Sequence, residues 1–295
     1  MICKICGSDE NKFIGRPRIN NSIQHFLNHD YKIRECANCN FYFIEPEIDL
    51  TQQAWQHLYE DNYFADSINN AWLKKLREKE RKQRLKLIDS KLKCEKAKFL
   101  DMGCGEGDVL KEAIAFGYEA YGVDIAHNLS QENSGINFFK GNIFEAKFPD
   151  NFFSVIYMDS VLEHVLNPME TLAELRRILK PGGVLLIIVP NEDSFENSFI
   201  HLAYSLSFRN EKYGKIKPFV TPYHVNGFNA VSLRTAIDKS MFHETEIKGF
   251  GGSYTFWKAS KFGSKHYLQA LLTYPVGLLS VIFKQQIQLM AIAIK

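Results

Sequence analysis

The sequence predicts an α/β protein preceded by a small cysteine-bearing domain, and three observations carry that expectation. From about residue 96 onward, apolar runs of strand length alternate with amphipathic helical stretches. The first such run, Phe99-Leu100-Asp101-Met102, ends in the glycine-rich turn Gly103-Cys104-Gly105-Glu106-Gly107 and leads into a helix carrying Val109, Leu110, Ala113 and Ile114. Near the N-terminus two Cys-x-x-Cys pairs, Cys3/Cys6 and Cys36/Cys39, stand 29 residues apart.

At 295 residues the chain has room for roughly two domains. Composition is that of an ordinary globular protein, and the net charge of +2 points to no polyanionic partner. Charge is unevenly spread, however. Residues 74 to 98 hold twelve Lys or Arg against four Asp or Glu, a local +8 that leaves about −6 for the rest. Such a run is either a solvated helix face or a contact for phosphates on a nucleotide, a nucleic acid or a membrane. No apolar signal region precedes Cys3, and a cytoplasmic protein is expected. The stretch 267 to 283 (YLQALLTYPVGLLSVIF) is short for a membrane span and is interrupted by Pro275 and Gly277. It is expected to form a buried helical pair, with peripheral contact at a membrane surface as the alternative.

Taken in order, each Cys-x-x-Cys puts two sulfurs on one tight turn, and two such turns complete a tetrahedral sulfur site suited to structural Zn²⁺. Gly7 and Asn40 follow the knuckles where the chain must reverse, and Tyr31–Arg34 and Phe41–Ile44 read as flanking strands of a zinc ribbon. Disulfides are the rival reading. Residues 50 to 92 read as helical, with Trp55, Leu58, Tyr59, Tyr63, Phe64 and Trp72 forming an aromatic face.

In the glycine turn, residues without a Cβ permit positive φ and close approach of a ligand, and the following helix N-terminus offers N–H groups. A dinucleotide fingerprint wants its third glycine at position 108, which is Asp. An acid there suits a cationic cofactor better than a pyrophosphate. The second strand, Tyr118 to Asp124, ends in a carboxylate 21 residues past Gly103, a distance at which such a group accepts both ribose hydroxyls of an adenosyl moiety. That logic serves NAD and an adenosyl sulfonium alike. Strands three, four and five read as Asn137–Ile143, Phe152–Asp159 and Val184–Pro190, with Asn167-Pro168 opening the intervening helix. A helix from Ser232, its N-cap, to Lys239 precedes strands at Phe242–Gly249 and Gln288–Ile294.

The pattern Asp101-x-Gly103-x-Gly105-x-Gly107 resembles the first motif of the class I S-adenosylmethionine-dependent methyltransferases. The fourth-strand exit, Asp159-Ser160 running into Leu162-Glu163-His164-Val165, and Lys180-Pro181-Gly182-Gly183 before the fifth strand resemble the same family. The resemblance implies a Rossmann-like core of seven strands with the last antiparallel. It implies that Asp101, Gly103, Cys104, Gly105, Gly107, Asp124, Ile125, Asn142, Ile143, Asp159 and Ser160 surround S-adenosyl-L-methionine. Asn142 stands where the family commonly has Asp against the adenine amino group, and Ile143 supplies an apolar neighbour. Cys104 would pack close to the cofactor. His224, in an aromatic context, is the leading general-base candidate, and His164 is the second, for orienting the donor or as a base.

The expected organisation is a zinc ribbon at 1–48 with Cys3, Cys6, Cys36 and Cys39 as ligands, a helical connector or lid at 49–95, and the methyltransferase domain at 96–295 with insertions near 192–222 and 250–284. The acceptor expected is a small molecule, such as a sugar or a secondary-metabolite precursor. An RNA methyltransferase using the ribbon and the basic connector, or a donor-binding scaffold without catalysis, are the alternatives.

Overall fold

A computed structural model describes residues 1–19, 30–50, 71–126, 135–206, 220–221, 224–252 and 265–295. The expected aromatic face at 55–64 and much of the insertions at 192–222 and 250–284 lie outside the described residues, as does the side chain of Trp72. The elements run β1 (Asn11–Gly15), β2 (Arg18–Ile19), β3 (Lys32–Cys36), β4 (Tyr42–Glu45), α1 (Ala71–Lys91), β5 (Lys98–Met102), α2 (Asp108–Ala115), β6 (Glu119–Asp124) and β7 (Ile136–Lys140). They continue with β8 (Phe153–Asp159), α3 (Pro168–Ile178), β9 (Leu179–Pro190), α4 (Phe195–Leu206), β10 (Val220–Thr221), β11 (Asn226–Gly227), α5 (Ala230–Lys239), β12 (His243–Phe250), α6 (Lys265–Ile282) and β13 (Gln288–Ile294).

The central sheet has seven strands in the order β12-β13-β9-β8-β5-β6-β7. Strands β7, β6, β5, β8 and β9 are parallel, and β13 runs antiparallel to both β9 and β12. Order reverses at β5, so the crevice beyond the carboxyl ends of β5, β6 and β8 is a topological switch point, where open α/β sheets take ligands. Both faces of the sheet are covered, which is why β8 and β9 read as near-continuous apolar runs. Successive residues of β9 alternate between two clusters. Leu185, Ile187 and Val189 pack with Leu172 and Leu175 of α3 and Leu233 and Ile237 of α5, while Val184, Leu186 and Ile188 pack with Leu85 and Ile88 of α1 and Leu110 of α2.

The N-terminal cysteine unit does not stand apart from this core. Its sheet has the order β1-β3-β4-β11, so its last strand comes from residues 226–227. Cys3, Cys36, Cys39, Phe41 and Phe43 share one apolar cluster with the sheet, and the Phe41 ring lies 5.1 Å from that of Phe228. Polar ties reinforce the joint. Tyr42 donates to Asp193 at 2.6 Å, Asn229 donates to the Asn40 carbonyl at 2.9 Å, and Lys239 donates to the Cys6 carbonyl at 2.8 Å.

Several local expectations change. Ser232 sits in the first turn of α5, and the cap is Asn229, which accepts from the Ser232 N–H while Ser232 Oγ accepts from the Asn229 N–H. This is a reciprocal capping box, whose signature a search for one N-cap residue misses. The Pro181-Gly182-Gly183 turn is a bulge inside a continuous β9, where the register shifts between Phe153↔Leu179 and Val155↔Val184. Residues 267–282 belong to one helix with Pro275 inside it, and the buried helical pair is not formed. Leu271, Leu278, Leu279, Val281 and Ile282 of that helix are exposed. Among the described residues no helix is long and apolar enough to cross a membrane.

Candidate active site

The glycine turn leaves β5 with Gly103, Gly105 and Gly107 all at positive φ (76°, 49° and 78°). Gly103 also has no room for a side chain, since a Cβ there would stand 2.3 Å from Val161 Cγ2. The turn is tied down by its own amides. The Gly103 and Cys104 N–H groups reach the Val123 carbonyl (2.7 and 3.4 Å), Gly107 N–H reaches the Cys104 carbonyl (2.8 Å), and Gly105 N–H reaches Asp124 Oδ2 (2.8 Å). Four amides of the turn are thus spent inside the protein, which leaves the N-terminus of α2, from Asp108, as the place where N–H groups can meet a ligand.

What surrounds the turn is carboxylate. Asp101 is 3% exposed, and burial together with Asp159 and Asp124 pushes its carboxyl well above the ordinary range. Asp124, at the tip of β6, accepts from the Ala126 N–H at 2.9 Å as well as from Gly105, and burial raises its pKa also. Asp159, at the tip of β8, receives Arg84 Nη1 at 2.9 Å and Tyr157 OH at 3.2 Å. Ser160 follows at φ 58°, with its N–H on the Ile188 carbonyl and its hydroxyl donating to Asp159 Oδ1. Carboxyl groups gathered at one crevice suit a ligand that carries hydroxyls and a cationic centre better than a phosphate. An adenosyl sulfonium with its amino acid ammonium fits this donor set.

Arg84 is a residue that sequence reading missed. It lies in the basic run, where Lys74, Lys75, Arg77, Lys79, Lys82 and Lys86 are exposed while Arg81 and Arg84 turn toward the core. Arg84 bridges Tyr157 and Asp159 with its guanidinium over the Phe250 ring at 4.9 Å. Arg81 pairs with Asp108 at 3.2 Å, and Lys91, Lys93 and Lys96 pair with Glu246, Glu244 and Asp89. The basic helix α1 is thus clamped to the acidic core. Its only signal in the sequence is the complementary −6 on the remainder of the chain.

The other candidates take up varied settings around the crevice. Cys104 is buried and packs its sulfur with Leu110 over Gly122, and that apolar setting pushes its thiol up. Ile125 is half-buried beside Asp124, whereas Ile143 is 1% exposed and belongs to the main apolar cluster. The Asn142 amide oxygen accepts from the Phe144 and Glu145 N–H groups, both at 3.0 Å, so it caps its own turn. Both lone pairs of that oxygen are engaged, and an adenine amino group would have to displace one of these bonds.

His164 and His224, 60 residues apart in sequence, are brought together with rings edge to face at 4.9 Å. The Val225 and Asn226 N–H groups both reach the Glu163 carbonyl at 3.0 Å, and Asn226 Nδ2 donates to the Val165 carbonyl at 2.6 Å. This latch fixes the His224 segment to the β8 exit. Burial pushes His224 down to about 4, so its ring is neutral at pH 7 and a weak base. Glu163, 2% exposed, and Glu192, 8% exposed, are buried acids beyond the expected set, and burial raises both. Glu163 stands inside the Leu-Glu-His-Val turn, where its signal was available but was read only for His164.

In the N-terminal unit the four expected cysteines converge, with sulfurs within 4.8 Å of one another. The Cys3–Cys39 and Cys6–Cys36 sulfurs are 3.6 and 3.4 Å apart. Tetrahedral Zn–S bonds of about 2.3 Å give an edge of about 3.8 Å, so the cluster fits one such ion. Gly7 and Asn40 take positive φ (82° and 56°), and each donates its N–H to the first cysteine of its knuckle. Cys39 shares its proton with Cys3, which lowers Cys3 to about 5 and raises Cys39.

Comparison with known proteins agrees with this geometry. A family model described as a methyltransferase domain matches residues 56–240. A probable S-adenosylmethionine-dependent methyltransferase of Mycolicibacterium smegmatis is 26% identical over 164 residues, covering 53% of this chain and 56% of that protein. A sterol 24-C-methyltransferase of Aspergillus fumigatus is 28% identical over 160 residues, covering 48% of this chain and 42% of that protein. The chain spans about half the length of these curated relatives. Among solved structures, a SAM-dependent methyltransferase from Archaeoglobus fulgidus superposes with a TM-score of 0.51 at 20% identity, over 74% of this chain and 94% of that one, which shows a shared fold.

Proposed function

Because the chain belongs to the methyltransferase domain family, we propose that it transfers a methyl group from S-adenosylmethionine to a small-molecule acceptor, with Zn²⁺ as a structural ion in the cysteine cluster. The observation that carries the donor assignment is the gathering of Asp101, Asp124 and Asp159 around a glycine turn whose amides are internally satisfied. When bound, the donor supplies an electrophilic methyl on a sulfonium. Asp124 would accept the ribose hydroxyls with the oxygen capacity left beside Gly105 and Ala126. Asp159, held by Arg84, faces the cationic end, and the buried Asp101 beside it offers a hydrogen-bonding carboxyl. The backbone at Gly103 and Gly105 allows close approach.

On the acceptor side we assign His164 and His224, which meet beside the exit of β8. Their task is orientation more than strong base catalysis, since His224 binds a proton weakly. A small acceptor is favoured over RNA because the basic helix turns Arg81, Arg84 and Lys91 onto acids of the core. The test is incubation of purified protein and cell extract with donor carrying an isotopically labelled methyl, followed by separation into RNA, lipid and small-molecule pools. Label in the small-molecule pool is expected. Label confined to RNA or lipid would overturn the acceptor class, and failure to bind donor by calorimetry would overturn the whole reading.

A further inference from the structure

The segment after β8 and the segment before β11 bring together Glu163, His164 and His224. One ligand atom from each lies within 4.8 Å of the other two, and His164 Nε2 is 3.8 Å from Glu163 Oε1. From the geometry we infer that these three side chains hold a divalent first-row transition cation, a second metal site separate from the four cysteines.

Three observations lead there. Glu163 is 2% exposed, and its Oε2 is buried with no hydrogen-bond partner. A buried carboxylate in that state needs a proton or a cation to satisfy it. The His164 imidazole at 3.8 Å and that of His224 supply the remaining nitrogen ligands of a cation. The positions are also held from outside. Asn226 grips the Leu162 and Val165 carbonyls on either side of Glu163-His164, while its own N–H and that of Val225 hold the Glu163 carbonyl. Such support from neighbouring hydrogen bonds is what metal ligands need to keep their orientation.

The ligand types select the ion. Two imidazoles and one carboxylate suit Fe²⁺, Co²⁺, Mn²⁺ or Zn²⁺ and leave coordination positions open, whereas Mg²⁺ and Ca²⁺ take oxygen sets. Ligands of one such ion lie about 3 to 4 Å apart, so the 3.8 Å pair is already at that spacing and the widest pair needs only a small side-chain rotation. If the methyl-transfer reading holds, His164 and His224 would orient the acceptor through the ion, whose open positions would receive an acceptor oxygen and lower its pKa.

The test uses the full chain with its cysteine cluster filled with zinc, and no methyl donor, so it stands or falls independently of the transferase activity. Titration with Co²⁺ is followed by calorimetry and visible absorption. One further equivalent is expected, with weak d–d bands and no thiolate charge-transfer band. Proton spectra of the Co²⁺ form should show hyperfine-shifted imidazole N–H signals from two histidines. Glu163→Gln, nearly isosteric, and His224→Ala should each weaken Co²⁺ binding by tenfold or more. No further equivalent at millimolar Co²⁺, or affinity unchanged in Glu163→Gln with the fold retained by circular dichroism, would overturn the site.

Discussion

Replacing Asp124 by alanine probes the donor crevice at the tip of β6. The carboxylate has about four acceptor positions. Two are taken by the Gly105 and Ala126 N–H groups at 2.8 and 2.9 Å, which leaves two for the hydroxyls of one ribose. A hydrogen bond to an ionised group contributes about 1.5–3 kcal/mol net. Two ribose bonds would therefore approach 3–6 kcal/mol, from which the existing desolvation of Asp124 must be subtracted. The expected net loss is about 3 kcal/mol, on the order of a hundredfold in dissociation constant. Calorimetric titration with S-adenosylhomocysteine reads this directly. The variant also releases the Gly105 amide, which could loosen the turn by itself. Titrating wild type and variant with the 2′,3′-dideoxy analogue separates the effects. If Asp124 holds the ribose, the wild type discriminates strongly between the two ligands and the variant hardly at all. A wild type that binds both equally would refute the ribose assignment.

Gly103→Ala should destabilise the fold by roughly 2–4 kcal/mol, from positive φ and from crowding against Val161, measured by urea unfolding; an unchanged midpoint would contradict the turn's geometry. Glu192 has a folded pKa raised by burial to about 8 from 4.5, so its stabilising contribution is complete below pH 4.5 and is lost as pH rises through 8, at most about 5 kcal/mol. Glu192→Gln should therefore flatten the decline of stability between those values, and an identical slope in the variant would remove Glu192 as its source. Mercurial titration should release about one zinc per chain. Cys36→Ser should abolish that release and lower the melting temperature of the whole molecule, because the cysteine unit shares its apolar cluster with the central sheet. A core transition unmoved by loss of the metal would mean that the two parts are energetically independent.

How much was legible beforehand depended on the range of the interaction involved. The strands and helices of the core, the positive-φ glycines, the knuckle reversals at Gly7 and Asn40 and the convergence of four cysteines all follow from local rules. Each is set by periodicity, by a missing Cβ or by spacing along a few residues. The reciprocal cap of Asn229 with Ser232 was one step beyond such rules, since two residues act on each other. Single-helix α6, with Pro275 inside it, was read as two pieces because a breaker residue is tolerated once neighbouring elements hold the helix.

From its sequence alone this chain determined the βα glycine unit, the acid at the end of each of three strands and the two thiolate turns, because those depend on backbone conformation and near neighbours. Only the tertiary structure decided that the turn's amides face inward, that Arg81, Arg84 and Lys91 of the basic helix pair with acids of the core, that β11 completes the cysteine unit's sheet, and that Glu163, His164 and His224 meet. Those outcomes rest on charges and hydrogen bonds between separate segments, from Gly105 with Asp124 to Phe43 with Asn226, whose pairing the folded sheet imposes and no local pattern encodes.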